Sequence, residues 1–283
     1  IKRARQAIKS GLVKHHLLRC QRLSHAINEL TAPTQPNVLN TIINTTQNHL
    51  RPRSHPFRDA LAKPGLSIIG EIKRKTPSKG VLATIESPLA LAKEYVKHGI
   101  DAVSIITEEH YFNGSPHDLQ RIANNNLAVP LLRKDFIVDR RQIIESVRLG
   151  AHAVLLIMAA VKDNAQSLFD FAQALGLEVL VETHTQEEIK QAVGLGATLI
   201  SINNRNLTDF TTSIHTSLDL IQYVPDRILC VSASGIESAE QAQQLYNAGF
   251  DGILVGEALV TSPNRAATLA ALNPEQSQKG VSA

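Results

Sequence analysis

The chain has no tryptophan, a single methionine (Met158) and only two cysteines. Cys20 and Cys230 lie far apart and form no CxxC pair. That excludes a disulfide framework and a thiolate zinc site, and it fits a reducing, cytoplasmic compartment. Long hydrophobic runs are missing too: the longest, residues 153–161, falls far short of the roughly 20 residues a membrane span requires. The basic amino-terminal stretch lacks the apolar core of a secretion signal. HExxH, carboxylate–histidine clusters, GxGxxG and the P-loop are all absent, so neither a metal nor a nucleotide cofactor is expected. A strong charge of either sign is lacking as well. Lys and Arg number 29 against 26 Asp and Glu. That balance gives no reason to expect a nucleic acid partner, and it is compatible with an anionic small-molecule substrate.

What is present is a series of short apolar runs that stop at polar residues. Ser67-Ile68-Ile69-Gly70 runs into Glu71-Ile72-Lys73, and Pro130-Leu131-Leu132-Arg133 into Lys134-Asp135-Phe136. Glu178-Val179-Leu180-Val181 ends at Glu182, and Leu199-Ile200-Ser201-Ile202 at Asn203-Asn204-Arg205. Each run has the length of a buried strand, and each carboxyl end carries a group that is costly to bury without a partner. Eight strands are expected, at 67–72, 102–107, 130–134, 153–158, 178–183, 198–203, 228–232 and 252–256. The segments between them carry helical patterning. Ser87 before Pro88 reads as an N-cap with proline in the first turn. A phrase of glycine turn and strand start recurs at Gly99, Gly150, Gly196 and Gly249. Eight βα units in one chain favour a (β/α)8 TIM barrel, with a doubly wound open sheet as the alternative. Residues 1–66 are expected to form a helical extension, 67–272 the barrel and 273–283 a polar tail. Within the extension, helices are expected over 1–30, 38–50 and 56–61, covering the bottom, side or rim of the barrel.

In a barrel these polar strand ends share one mouth. Glu71 and Lys73 are two apart, so on a strand both point the same way. With Lys134 and Glu182 they make a group able to hold an acid and a base; a structural ion-pair plug is the plainer reading. Ser234-Gly235 follows the seventh strand and Gly256-Glu257 the eighth, where barrels commonly bind phosphate; the alternative is two tight turns. Phe112 and Phe136 follow the second and third strands and either wall an aromatic substrate or anchor their loops. Arg205, beside Asn203, is either an anion clamp or a surface arginine. His184 follows Glu182 by two, and a structural role is the simpler one for it.

At these positions the chain resembles the indole-3-glycerol phosphate synthase family. The phrases that carry the resemblance include Gly70-Glu71-Ile72-Lys73, Leu132-Arg133-Lys134-Asp135-Phe136, Leu180-Val181-Glu182, Asn203-Asn204-Arg205, Ser234-Gly235-Ile236 and Val255-Gly256-Glu257-Ala258, in the family's order. The resemblance implies a TIM barrel with an N-terminal helical extension. It implies ring closure of 1-(2-carboxyphenylamino)-1-deoxyribulose 5-phosphate to indole-3-glycerol phosphate, with loss of carbon dioxide and water, in tryptophan biosynthesis. It implies no cofactor. Because the sequence stops soon after the eighth strand and its helix, no fused second barrel is expected, and a monomer or weak homo-oligomer is expected. By the same resemblance Lys134 is the general acid and Glu182 an acid/base partner, while Lys73 holds an anionic group of the substrate and Glu71 positions the lysines. Asn203 and Ser234 hydrogen-bond the substrate. Arg205, Gly235, Gly256 and the backbone N–H of Glu257 hold the phosphate, and Phe112 and Phe136 enclose the aromatic ring. The chain departs from the family pattern at Ala233, where Glu is usual before the serine. That removes a mouth carboxylate: either Glu71 compensates, or the chain is an impaired or non-catalytic phosphate-binding barrel. Ser201 likewise replaces a common glycine, and Thr76 a common serine.

Overall fold

A computed structural model describes residues 55–206 and 209–273. The helices expected over 1–30 and 38–50, and the tail beyond Asn273, lie outside the described residues. Eight parallel strands close into a ring: β1 Ser67–Ile72, β2 Ala102–Ile106, β3 Leu131–Lys134, β4 Ala153–Ile157, β5 Glu178–Thr183, β6 Leu199–Asn203, β7 Leu229–Ala233 and β8 Gly252–Val255. Closure is the feature that excludes the open sheet. Gly70 pairs with Val255 of β8 on one side and with Val103 of β2 on the other, so β1 has no free edge. The strand interiors are buried on both faces, as a parallel sheet inside a ring of helices requires. β7 runs one residue further than expected because Asn203 pairs with Ala233, extending the ladder to the mouth.

The main helices are α1 Pro88–Lys97, α2 Pro116–Ala123, α3 Arg140–Arg148, α4 Ala165–Ala174, α5 Gln186–Gly194, α6 His215–Leu220, α7 Ala239–Asn247 and α8 Arg265–Ala271. Their starts are chemically marked. The Ser87 hydroxyl accepts the N–H of Ala90 at the head of α1. Asp139 and Gln142 form a reciprocal capping box on α3, as Ser238 and Gln241 do on α7. Their ends are marked by the recurrent glycine turn. At Gly150 the backbone turns left-handed, φ 84°, to lead α3 into β4, a conformation costly for any side chain with a Cβ.

The short helix Pro56–Leu61 closes the amino end of the barrel. Phe57 and Leu61 are fully buried among Ile69, Ala102, Leu132 and Leu180. The first residue of β5 fastens the helix: the Glu178 carboxylate accepts the N–H groups of Phe57 at 2.7 Å and Arg58 at 2.9 Å. Burial pushes the Glu178 carboxyl above its ordinary range, against the pull of those two donors. Glu178→Ala leaves both amides without their acceptor. Its expected cost is about 1–2 kcal/mol, read as a lower urea midpoint at unchanged slope. An unshifted midpoint would show that Phe57 and Leu61 hold the helix without the carboxylate.

Candidate active site

Alternation along β3 decides which cation faces inward. Arg133 points away from the barrel axis. Its guanidinium lies against Asp135 at 3.1 Å and Glu145 at 2.7 Å, and it donates to the carbonyl of Gln142 and the hydroxyl of Ser146 on α3. Lys134, the next residue, therefore enters the mouth. Three strand ends are linked there by one chain of opposite charges, and a fourth joins it by a hydrogen bond. Lys73 Nζ lies 2.8 Å from Glu71 Oε2, and Lys134 Nζ lies 3.9 Å from Glu71 Oε1 and 3.7 Å from Glu182 Oε2. Asn203 donates its side-chain amide to Glu182 Oε1 at 3.0 Å. Glu71 and Glu182 are buried, whereas Lys73 and Lys134 keep part of their surface open to the cavity above.

The electrostatics follow from this geometry. Burial raises the Glu71 carboxyl, but Lys73 and Lys134 outweigh it and leave Glu71 below the usual range. Burial opposes the Lys134 ammonium, yet the carboxylates of Glu182 and Glu71 outweigh that and raise it above the ordinary lysine value. At neutral pH Lys134 therefore carries its proton and Glu71 does not. The group is not a sealed plug: all five residues line an open cavity of about 850 Å³.

One corner of the cavity is built from backbone. Ser234 and Gly235, just past β7, both take a left-handed φ of 71°. The buried Asn204 side chain holds this turn. It donates to the Ser234 carbonyl at 2.9 Å and the Ser232 hydroxyl at 3.0 Å, and it accepts the N–H of Ser217. Gly256 ends β8 against the charged chain. A Cβ at this position would collide with the Glu71 carboxylate and lie 3.1 Å from Lys73 Nζ, so a side chain here would push that ion pair out of place. The Glu257 carboxylate is occupied by Lys79, from the loop after β1. Arg205 is tethered on both sides: its N–H donates to Asn203 Oδ1 and its guanidinium to the Phe210 carbonyl, both at 3.0 Å.

The opposite wall is aromatic. Phe112 and Phe136 stand with ring centroids 6.5 Å apart, tilted by 41°. The loop that carries Phe112 is organised by one carboxylate. Glu108 accepts the N–H groups of His110, Tyr111 and Phe112 between 2.7 and 2.9 Å. Every residue to which the family resemblance gives a role thus lines one cavity, whereas His184 does not. Sequence reasoning missed Glu108, Asn204 and Lys79. Glu108 and Asn204 were visible as polar residues beside strand ends, but their partners lie in other loops or strands. Lys79 sits in a small hairpin, Lys75–Thr76 against Gly80–Val81, that no pattern announced.

The departures from the family pattern fall in and around the same space. Ala233 ends β7 opposite Asn203, buried and lining the cavity. Glu71 already reaches both mouth lysines without a carboxylate at 233. Ser201 is buried in β6 and its hydroxyl finds no hydrogen-bond partner among the described residues, and Thr76 accepts the N–H of Lys79. Among the described residues no group of His, Cys, Asp and Glu is arranged to hold a metal ion, and no helix is long and apolar enough to cross a membrane.

A family model described as indole-3-glycerol phosphate synthase matches residues 23–272. The chain is 49% identical over 210 residues to the indole-3-glycerol phosphate synthase of Lactiplantibacillus plantarum, covering 74% of this chain and 80% of that one. It is 40% identical over 249 residues to that of Chloroherpeton thalassium, covering 87% and 95%. Among solved structures, 3-hexulose-6-phosphate synthase from Salmonella typhimurium is similar at a TM-score of 0.61 and 14% identity, over 75% of this chain and 99% of that one. Thiamine phosphate pyrophosphorylase from Pyrococcus furiosus is similar at 0.56 and 15%, over 76% and 96%. At those identities the likeness is one of fold.

Proposed function

Because this chain belongs to the indole-3-glycerol phosphate synthase family, we propose that it converts 1-(2-carboxyphenylamino)-1-deoxyribulose 5-phosphate to indole-3-glycerol phosphate. The observation that carries the proposal is the chain from Lys73 through Glu71, Lys134 and Glu182 to Asn203, set between an aromatic wall and a backbone anion corner.

The chemistry divides into three steps. The ring carbon that bears the carboxylate attacks the ribulose ketone, forming the new carbon–carbon bond. Lys134 gives its proton to the carbonyl oxygen as charge develops there; its ammonium, held by two carboxylates, is the group in the right protonation state. Loss of carbon dioxide then returns the bonding electrons to the ring and restores aromaticity, so no cofactor is needed as an electron sink. Finally the hydroxyl leaves as water with a proton supplied by a mouth lysine, while Glu182 takes one from the neighbouring ring carbon. One proton is drawn from solvent in each turnover. The reaction class is that of a carbon–carbon lyase.

The remaining residues bind. Phe112 and Phe136 enclose the anthranilate ring. Lys73 holds an anionic group of the substrate, Glu71 sets the spacing of the two lysines, and Asn203 and Ser234 hydrogen-bond the sugar chain. The N–H groups at Gly235, Gly256 and Glu257 receive the phosphate together with Arg205. Arg205→Ala is expected to raise KM about tenfold or more while kcat stays within a few-fold. A large loss of kcat at unchanged KM would move Arg205 from phosphate binding to stabilisation of the transition state. The substrate assignment is tested by offering phosphoribosylanthranilate beside the carboxyphenylamino sugar phosphate. Indole fluorescence and carbon dioxide from the second alone are expected; isomerisation of the first instead would contradict the assignment.

A further inference from the structure

His184 sits just past β5, behind the charged chain, and none of the three steps uses it. Its side chain is 12% exposed, and neither ring nitrogen makes a hydrogen bond among the described residues. Each nitrogen nevertheless faces a carboxylate. Nε2 is 3.8 Å from Glu182 Oε1 and Nδ1 is 3.5 Å from Glu188 Oε2. A neutral imidazole has one N–H and serves one of these acceptors, whereas the imidazolium has two and serves both.

The outer carboxylate is fixed in place. Glu188 lies in the first turn of α5 and accepts the backbone N–H of His184 at 2.6 Å. Its own N–H donates to the N-cap hydroxyl of Thr185. The helix start favours its negative charge, and the contacts with His184 outweigh burial and hold it below the ordinary carboxylate range. Among the described residues, the other elements packed here bring one further ionisable side chain, the exposed Tyr223 of the turn Ile221–Tyr223 against α5. The helix Met158–Val161, packed against β5 and α5, contains none, and neither does β6. Glu187 and Lys190 of α5 are exposed.

We propose that His184 is a positioning residue that bridges Glu188 to Glu182 and holds the Glu182 carboxylate with Oε2 turned to the cavity. Glu182 Oε1 then receives Asn203 and His184 from behind. Among the described residues Glu182 Oε2 has no hydrogen-bond partner and lies 3.7 Å from the Lys134 ammonium, which leaves it available to accept a proton from substrate.

This inference rests on the proposed reaction, and the test separates the two. Steady-state kcat and KM are measured for the parent, His184→Gln and Glu188→Gln, alongside thermal melts. His184→Gln is expected to lower kcat about tenfold with KM within twofold and the melt unchanged, because Glu182 loses the ring that holds it from behind. Glu188→Gln, which loosens the outer anchor of that ring, is expected to lower kcat in the same way by a smaller factor. A parent-like kcat in His184→Gln would overturn the proposal, as would a fall in kcat matched by a rise in KM and a lowered melt, which is what a merely structural histidine gives. Should His184→Gln fail to fold, Glu188→Gln decides alone by the same split of kcat against KM. An inactive parent would remove the proposed reaction and this inference with it; an active parent with unaltered variants removes only the inference.

Discussion

Lys134→Ala is expected to leave the barrel folded and to lower kcat by about a thousandfold or more, the scale of a lost general acid together with its electrostatic contribution. The reason lies in how the ammonium is held. Glu71 and Glu182 approach it from two sides at 3.9 and 3.7 Å, and their combined field keeps it protonated despite burial. Removing it leaves Glu71 paired with Lys73, while Glu182 retains Asn203. The loss therefore falls mainly on chemistry. Far-ultraviolet circular dichroism and a melt confirm folding, and indole fluorescence reads turnover. Lys134→Arg refines the result. It keeps the charge but donates its proton poorly, so it should remain at least about a hundredfold below the parent. An arginine variant near parental activity would show that Lys134 acts as a fixed charge rather than as an acid.

The second large effect is expected at Glu182. Glu182→Gln keeps an oxygen to accept from Asn203 and keeps the side-chain volume. It removes the negative charge beside Lys134 and the ability to take a proton. A fall in kcat of about a hundred- to a thousandfold with KM changed little is expected. The alkaline side carries a further signature. Lys134 loses one of the two carboxylates that raise it, so the variant's activity should begin to fall at lower pH than the parent's. If kcat survives in Glu182→Gln, the base is elsewhere, and Glu71, the other buried mouth carboxylate, is the group to examine.

Much of this was legible from residues 67–272. A strand buried on both faces must be short, apolar and unbroken, so runs such as 153–157 announce themselves. Polar residues at their carboxyl ends marked the mouth because Glu71, Lys134, Glu182 and Asn203 have nowhere else to be satisfied. Cap chemistry did the same for the helix start at Ser87. What stayed hidden depends on contacts between distant segments. Nothing local distinguishes Arg133, which faces the helices, from Lys134, which faces the cavity; the register of β3 decides it. Asn204 looks interchangeable with Asn203, yet one holds the turn at Ser234 and the other holds Glu182. His184 read as a structural residue because its partner Glu188 is on the next helix. The consequence of Ala233 needed the geometry as well, since only there does Glu71 reach both lysines.

The most direct measurement is a steady-state fluorescence assay for indole-3-glycerol phosphate, run on the unaltered chain and on Ala233→Glu side by side. Turnover by the unaltered chain is expected, with Ala233→Glu changing kcat/KM by less than about tenfold, because Glu71 already balances the mouth lysines. Saturable binding of the substrate by the unaltered chain without product, and activity appearing only in Ala233→Glu, would contradict it.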